Sequence, residues 1–202
     1  MAKVTAPLMS FGARGKIANS LVFFPWKGIN AVRQYVIPTN PKTDRQIVQR
    51  GYFEDAIDAI HSAQAAAVDP LDAADVVANA LWGSTYPTPR TWFNQVVKNY
   101  LDVKVASGNP VIYRNGTLDN SVATQLAASI LPQDSLGTAG KFYYGISKTA
   151  LIHSEAAAFV GGKWTATITG LTAGTKYYVQ YRPDAGDPDE GSYSGIYTEY
   201  ST

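Results

Sequence analysis

Between Trp164 and Tyr181 the chain spells out two β-strands and the corner that joins them. Trp164-Thr165-Ala166-Thr167-Ile168-Thr169 alternates in character and is rich in β-branched residues, and Lys176-Tyr177-Tyr178-Val179-Gln180-Tyr181 has the same pattern. The linking Gly170-Leu171-Thr172-Ala173-Gly174-Thr175 places glycines where a tight corner needs positive φ. A period of two broken by a short turn fits a half-buried sheet and not a helix. The apolar face of that sheet needs a second layer. Phe142-Tyr143-Tyr144-Gly145-Ile146, Ala150–His153, Val111–Tyr113 and Ile196–Tyr200 are the further strand candidates. Asn115-Gly116 reads as a hairpin turn. Residues 117–139 stay ambiguous, with Val122–Ala127 compatible with a helix or a sheet edge.

Leu171, followed six residues later by Tyr177, resembles the corner of fibronectin type III domains. That resemblance implies an immunoglobulin-like β-sandwich over residues 109–202, with a tyrosine hydroxyl tied back to the corner backbone. Leu171 and Tyr177 are then the corner residues. The motif speaks to fold and not to activity.

Upstream, residues 1–42 are punctuated by Pro7, Gly12, Gly15, Pro25, Gly28, Pro38 and Pro41, too often for helices. Leu21–Phe24 and Ala31–Ile37 are extended candidates, joined by a turn over Pro25–Asn30 into a hairpin-like arm. An isolated hairpin is marginal in water, so Phe23, Phe24, Trp26, Tyr35 and Ile37 need a partner or the chain's own helices to cover them. Residues 43–108 read as a small helical domain. Thr43 with Gln46 forms a capping-box start to a helix carrying Ile47, Phe53, Ile57 and Ile60. Asp69-Pro70 and Thr88-Pro89 are the expected starts of the next two helices. The fold class expected is therefore α+β: an extended arm, a small bundle and a sandwich.

A second resemblance lies in Gly15-Lys16-Ile17-Ala18-Asn19-Ser20-Leu21-Val22-Phe23, Lys27-Gly28, Val32-Arg33 and Asn40-Pro41-x-Thr43-x-x-Gln46-x-x-Gln49-Arg50, with Trp92-Phe93 further on. These look like a group of small proteins encoded in tailed-phage and prophage genomes. The resemblance implies a virion structural protein that is made in the host cytoplasm and built into the particle.

Charge is distributed unevenly. Residues 1–50 hold eight Lys and Arg against Asp44 alone, a net of +7, and the remainder is −6, giving +1 for the chain. The first segment is therefore expected to meet something acidic, either nucleic acid or the surface of a neighbouring copy. Zero Cys excludes a disulfide framework and a thiolate metal site. No stretch reaches the ~20 apolar residues of a membrane span, and the first ten residues lack the apolar core of a secretion signal.

Chemistry is sparsely represented. His61 and His153 are far apart in sequence, and His153-Ser154-Glu155 offers two ligands where a metal needs three or four. Asp184–Gly191 has calcium-ligand residue types without EF-hand spacing and reads as a solvated hairpin tip. Neither Gly137–Lys141 nor Gly191–Gly195 has the spacing of a phosphate loop or a nucleophile elbow. No enzyme, cofactor or metal is expected.

The expected function is a bacteriophage capsid decoration or cement protein, with other virion subunits and further copies of itself as partners. Arg14, Lys16, Phe23, Phe24, Trp26, Lys27, Arg33 and Tyr35 are the assembly-interface candidates. Three alternatives stand beside it: a tail- or neck-associated virion protein, a host-surface glycan adhesin using an exposed face drawn from Tyr143, Tyr177, Tyr181, Tyr193, Tyr197 and Tyr200, and nucleic-acid binding through the basic arm.

Overall fold

The computed structural model describes residues 2–3, 14–37, 39–40 and 42–202. Pro7, Gly12, Pro38 and Pro41, read above as chain breakers, lie outside the described residues, as does most of the segment read for a secretion signal. Chain contacts group the protein into two units, Met1–Asp44 and Arg45–Thr202. The architecture is α+β, with three helices and antiparallel sheets.

The first unit is a four-stranded antiparallel sheet of β1 (Ala2–Lys3), β2 (Gly15–Ile17), β3 (Leu21–Trp26) and β4 (Ile29–Gln34), in the order β1-β4-β3-β2. The turn between β3 and β4 is shorter than the Pro25–Asn30 segment expected. Trp26 pairs with Ile29, and only Lys27 and Gly28 remain between them, both at positive φ (49° and 78°). A two-residue loop with both residues left-handed matches the strand twist, so Pro25 stays in the strand.

The second unit contains α1 (Asp44–Gln64) from Arg45 onward, α2 (Ala73–Gly83), α3 (Trp92–Val105) and eight strands. The strands are β5 (Ile112–Asp119), β6 (Leu126–Gln133), β7 (Gly140–Gly145), β8 (His153–Ala156), β9 (Ala158–Val160), β10 (Lys163–Ile168), β11 (Lys176–Pro183) and β12 (Tyr197–Tyr200). They form two antiparallel sheets, ordered β5-β6-β10-β9 and β12-β11-β7-β8. The ambiguous 117–139 stretch supplies the end of β5 and all of β6. Inward residues from both sheets make one core: Tyr113, Leu126, Ile130, Trp164 and Ile168 against Phe142, Val179 and Tyr181. Tyr181 is its hub, stacked on Trp164 at 5.4 Å and edge-on to Tyr113 and Phe142 at 5.1 and 5.3 Å. Each such ring removes ~150–250 Å² from water, which stabilises the fold by roughly 4–6 kcal/mol per ring before entropy is counted.

Helices and strands fall in one unit, whereas the sequence reading divides them at residue 109, and β5 shows why. Val111 and Tyr113 face the sandwich core, and Ile112 between them belongs to the helical core with Ala56, Ile60, Leu71, Val96 and Val97. Alternation along one extended segment thus feeds two cores.

Both later helix starts lie further on than expected. The N-cap of α2 is Asp72, whose carboxylate accepts from the N–H of Ala74 and Asp75, while Asp69 sits at φ 49° and gives its carbonyl to Arg114. Thr91 caps α3 by accepting from the N–H of Asn94 at 3.3 Å. In α1 the buried stripe is Ala56, Ile60 and Ala63, and Ile47 and Phe53, expected on that stripe, are exposed. Asn115-Gly116 is a β-bulge inside β5, not a turn: the register shifts between Arg114 and Thr117 and Asn115 takes φ 48°.

Candidate functional site

Register sorts the arm candidates onto two faces. Lys16 lies opposite Val22 and Val22 opposite Arg33, forming one cross-strand row, while Phe24–Ala31 and Trp26–Ile29 are the next rows on the same face. Lys16 Nζ stands 4.5 Å from the centre of the Tyr35 ring, and the Arg33 guanidinium 5.4 Å from that of Phe24. Cation–π contact therefore holds both basic groups against an aromatic floor. Phe23 points to the opposite face with Ile17 and Leu21, since strand neighbours alternate. Arg14 and Lys27 are exposed, Lys27 at the hairpin tip.

The first unit is poor in core. Ala31 is its one buried hydrophobic residue among the described positions, and Ile17, Leu21, Trp26, Ile29, Val36 and Ile37 are all exposed, Trp26 at 55%. The first turns of α1 share this character: positions 44–50 are exposed throughout, Ile47 and Val48 included.

In the second unit the corner residues are both buried, and the Tyr177 hydroxyl accepts from the N–H of Thr172 at 3.1 Å. The acidic loop is not a solvated tip. Asp189 is 1% exposed and accepts from the N–H groups of Leu136 and Gly137 and from the Asn109 amide. Burial alone would raise the Asp187 carboxyl, but donors from the backbone of Thr138, Asp189 and Ala139 outweigh it and hold the group below its ordinary value. Both carboxylates pin the β6–β7 connection. Their oxygens are spent on amides, which a period-based reading of the loop does not reveal.

A second buried carboxylate escaped sequence reading altogether. Asp75, fully buried, accepts from Asp72 N (3.1 Å), Asn115 N (2.7 Å), Gly116 N (3.1 Å) and the Tyr197 hydroxyl (2.6 Å). It ties α2 to the β5 bulge and to β12. Burial first, and then the Asp75 charge, push the Tyr197 hydroxyl well above its ordinary pKa. The Asn-Gly pair was the available signal, since a bulge exposes two adjacent N–H groups that need an acceptor.

The tyrosines expected as a face are split. Tyr177 and Tyr181 are core, and Tyr197 is half-buried on Asp75. Tyr143 pairs with Gln180, and Tyr178 and Tyr200 alternate with core residues on β11 and β12, so these three lie on the outer face of their sheet. Arg182 stacks between Tyr143 (4.8 Å) and Tyr193 (5.3 Å), and Lys176 lies over Tyr178 and Tyr200. Next to Tyr193 a groove of about 770 Å³ runs between α3 and the 186–193 loop, with Trp82 and Tyr86 at its aromatic end and Lys98, Asp102 and Glu190 along its polar side. Asn99 crosses between the walls, donating to the Gly191 carbonyl and accepting from the N–H of Tyr193. Its amide is thereby committed to holding the loop.

His61 and His153 are both exposed, and His153 lies against the Tyr144 ring at 5.3 Å. Among the described residues no group of three or more His, Cys, Asp or Glu is placed to hold a metal ion, and no helix is long and apolar enough to cross a membrane.

No family model and no curated protein matches the chain. Among solved structures, the crystal structure of a Br derivative of BhCBM56 is similar with a TM-score of 0.34 at 9% identity, covering 44% of this chain and 91% of that one.

Proposed function

We propose that this chain is a bacteriophage virion structural protein, a capsid decoration or cement subunit anchored through its N-terminal unit. The observation that carries the reading is the sheet of residues 14–37, which leaves Trp26, Leu21, Ile29 and Ile17 in solvent around a single buried alanine. A sheet of this size with so little core gains its stability by burying those side chains on something else. The order β5-β6-β10-β9 over β12-β11-β7-β8, with the Tyr177 hydroxyl tied to the corner, supports an immunoglobulin-like, fibronectin type III-like sandwich as the displayed part. A place in the tail or neck would use the same anchor. The test is light scattering on the full chain and on a chain lacking residues 2–41. The reading expects a multimeric full chain and a folded monomer after deletion; two identical monomers would refute it.

A second reading, a host-surface glycan contact, is favoured by one observation: Tyr143, Tyr178, Tyr193 and Tyr200 lie outside the core, interleaved with Arg182 and Lys176. Of these rings Tyr193 and Tyr200 are exposed and Tyr143 and Tyr178 half-buried, and rings at a surface beside cations suit acidic sugars. Binding to immobilised acidic polysaccharide that disappears in a Tyr178→Ala/Tyr200→Ala variant would support it, and absence of any binding by the full chain would end it.

A further inference from the structure

The exposed sheet needs a cover, and charge restricts what that cover can be. Unit Met1–Asp44 carries six Lys and Arg against one Asp, net +5, while Arg45–Thr202 carries eleven against fifteen acidic residues, net −4. Two copies joined sheet to sheet about a two-fold axis would bring +5 against +5. A head-to-tail contact, in which the sheet of one copy meets the acidic unit of another, pairs opposite charges instead.

One acidic surface also offers apolar area. On α1, Ile47, Glu54 and Asp58 are seven and eleven residues apart and so share a face, opposite the buried Ala56, Ile60 and Ala63. Asp55 lies three residues before Asp58 on the same side. All four are exposed, as is Val48 next to Asp55. None of the three carboxylates is in an ion pair among the described residues. Five of the other acidic side chains are committed within the fold: Asp75 and Asp189 are buried, and Asp69, Asp102 and Asp184 are paired with Lys163, Lys98 and Lys141.

The sheet presents the complement. Lys16 and Arg33 flank Val22 two strand spacings apart, about 10 Å, and the Trp26–Ile29 row provides exposed apolar surface on the same face. The stripe from Ile47 to Asp58 is about 16 Å long at 1.5 Å per residue, a length that one sheet face of this size covers.

We infer that the Lys16–Arg33–Trp26 face of one copy docks on the Ile47–Glu54–Asp58 face of α1 in a second copy, head to tail. This rests on the assembly reading above and names its partner. Each copy then uses two different surfaces, so the contact either closes reciprocally between two copies or repeats into a ring or filament.

Four full-length chains test it by light scattering over a concentration series, with circular dichroism confirming that each is folded. Lys16→Glu/Arg33→Glu and Glu54→Lys/Asp58→Lys should each weaken self-association by about tenfold or more, because both convert attractions into repulsions. Mixed in equal amounts they should assemble again, since each supplies the surface the other has inverted. The fourfold variant should likewise assemble alone. Wild-type association should fall as salt rises from 0.1 M to 1 M and the screening length shrinks from about 10 to about 3 Å. The inference is overturned if either double variant assembles like the wild type, or if the mixture and the fourfold variant both remain apart. If deletion of residues 2–41 abolishes assembly while the charge variants leave it unchanged, the anchor stands and this partner is wrong. If the wild type and the deletion are both monomers, the anchor itself fails and this inference with it.

Discussion

Replacing Asp75 by alanine removes the acceptor for four donors at once. Asp72 N belongs to the α2 capping box, while Asn115 N, Gly116 N and the Tyr197 hydroxyl come from elsewhere in the fold. Hydrogen bonds to a charged group are worth ~1.5–3 kcal/mol each, and a buried donor left without a partner costs ~1–3 kcal/mol. Taking the lower bound, about 1 kcal/mol for each of four donors, Asp75→Ala should destabilise the unit by about 4 kcal/mol. That is a large part of the 5–15 kcal/mol typical of a domain. With a urea m value of ~2 kcal/mol/M, the unfolding midpoint should drop by roughly 2 M. Tyr197→Phe removes one donor and leaves the carboxylate with three, so its cost should be about 1–2 kcal/mol. In a double-mutant cycle the two changes should fall short of additive by at least ~0.5 kcal/mol, because they share a bond. A loss under ~1 kcal/mol for Asp75→Ala, or strict additivity with Tyr197→Phe, would show that the buried carboxylate does not join helix and sandwich as argued.

Gly116→Ala should cost ~3 kcal/mol in the same assay, since a Cβ there would stand 2.1 Å from Cζ of the Tyr197 ring. Tyr177→Phe deletes the corner hydrogen bond to Thr172 N and should cost about 1 kcal/mol; an unchanged melting temperature would argue that the corner is held by packing alone. Asp187 titrates below its ordinary 3.8 in the folded state. Its stabilisation is therefore full above that value and is lost as pH falls through the lower native one, so Asp187→Asn should flatten the acid limb of a stability–pH curve and leave the neutral limb's slope unchanged.

The strands around the corner were legible because period-two alternation and glycine placement are local properties. Tyr177 occupies the expected corner position for the same reason: a tight turn followed at fixed distance by a tyrosine constrains a few adjacent residues. The arm's hairpin was legible too, though its turn shrank to Lys27-Gly28, because strand twist selects a left-handed pair over the longer proline-containing loop. The helix starts were misplaced by three residues in both α2 and α3. Asp69-Pro70 and Thr88-Pro89 look like caps in isolation, and only the reach of the Asp72 and Thr91 side chains to free N–H groups distinguishes the true ones.

By itself the sequence determined composition-level facts and local rules: the cysteine-free chain, the +7/−6 charge split, an arm whose aromatics need a cover, and the alternation that makes sheet rather than helix on both sides of the corner between Trp164 and Tyr181. The tertiary structure decided everything that depends on residues distant in the chain. It placed Ile112 in one core and its neighbours in another, turned Asn115-Gly116 from a hairpin tip into a bulge, and buried Asp75 and Asp189 on backbone amides 40 and 52 residues away. It also set Lys16 beside Tyr35. A carboxylate at the surface and one inside the protein read identically along the chain. What separates them is whether folding brings enough N–H and O–H donors to replace the water it loses, and that is a property of the assembled structure.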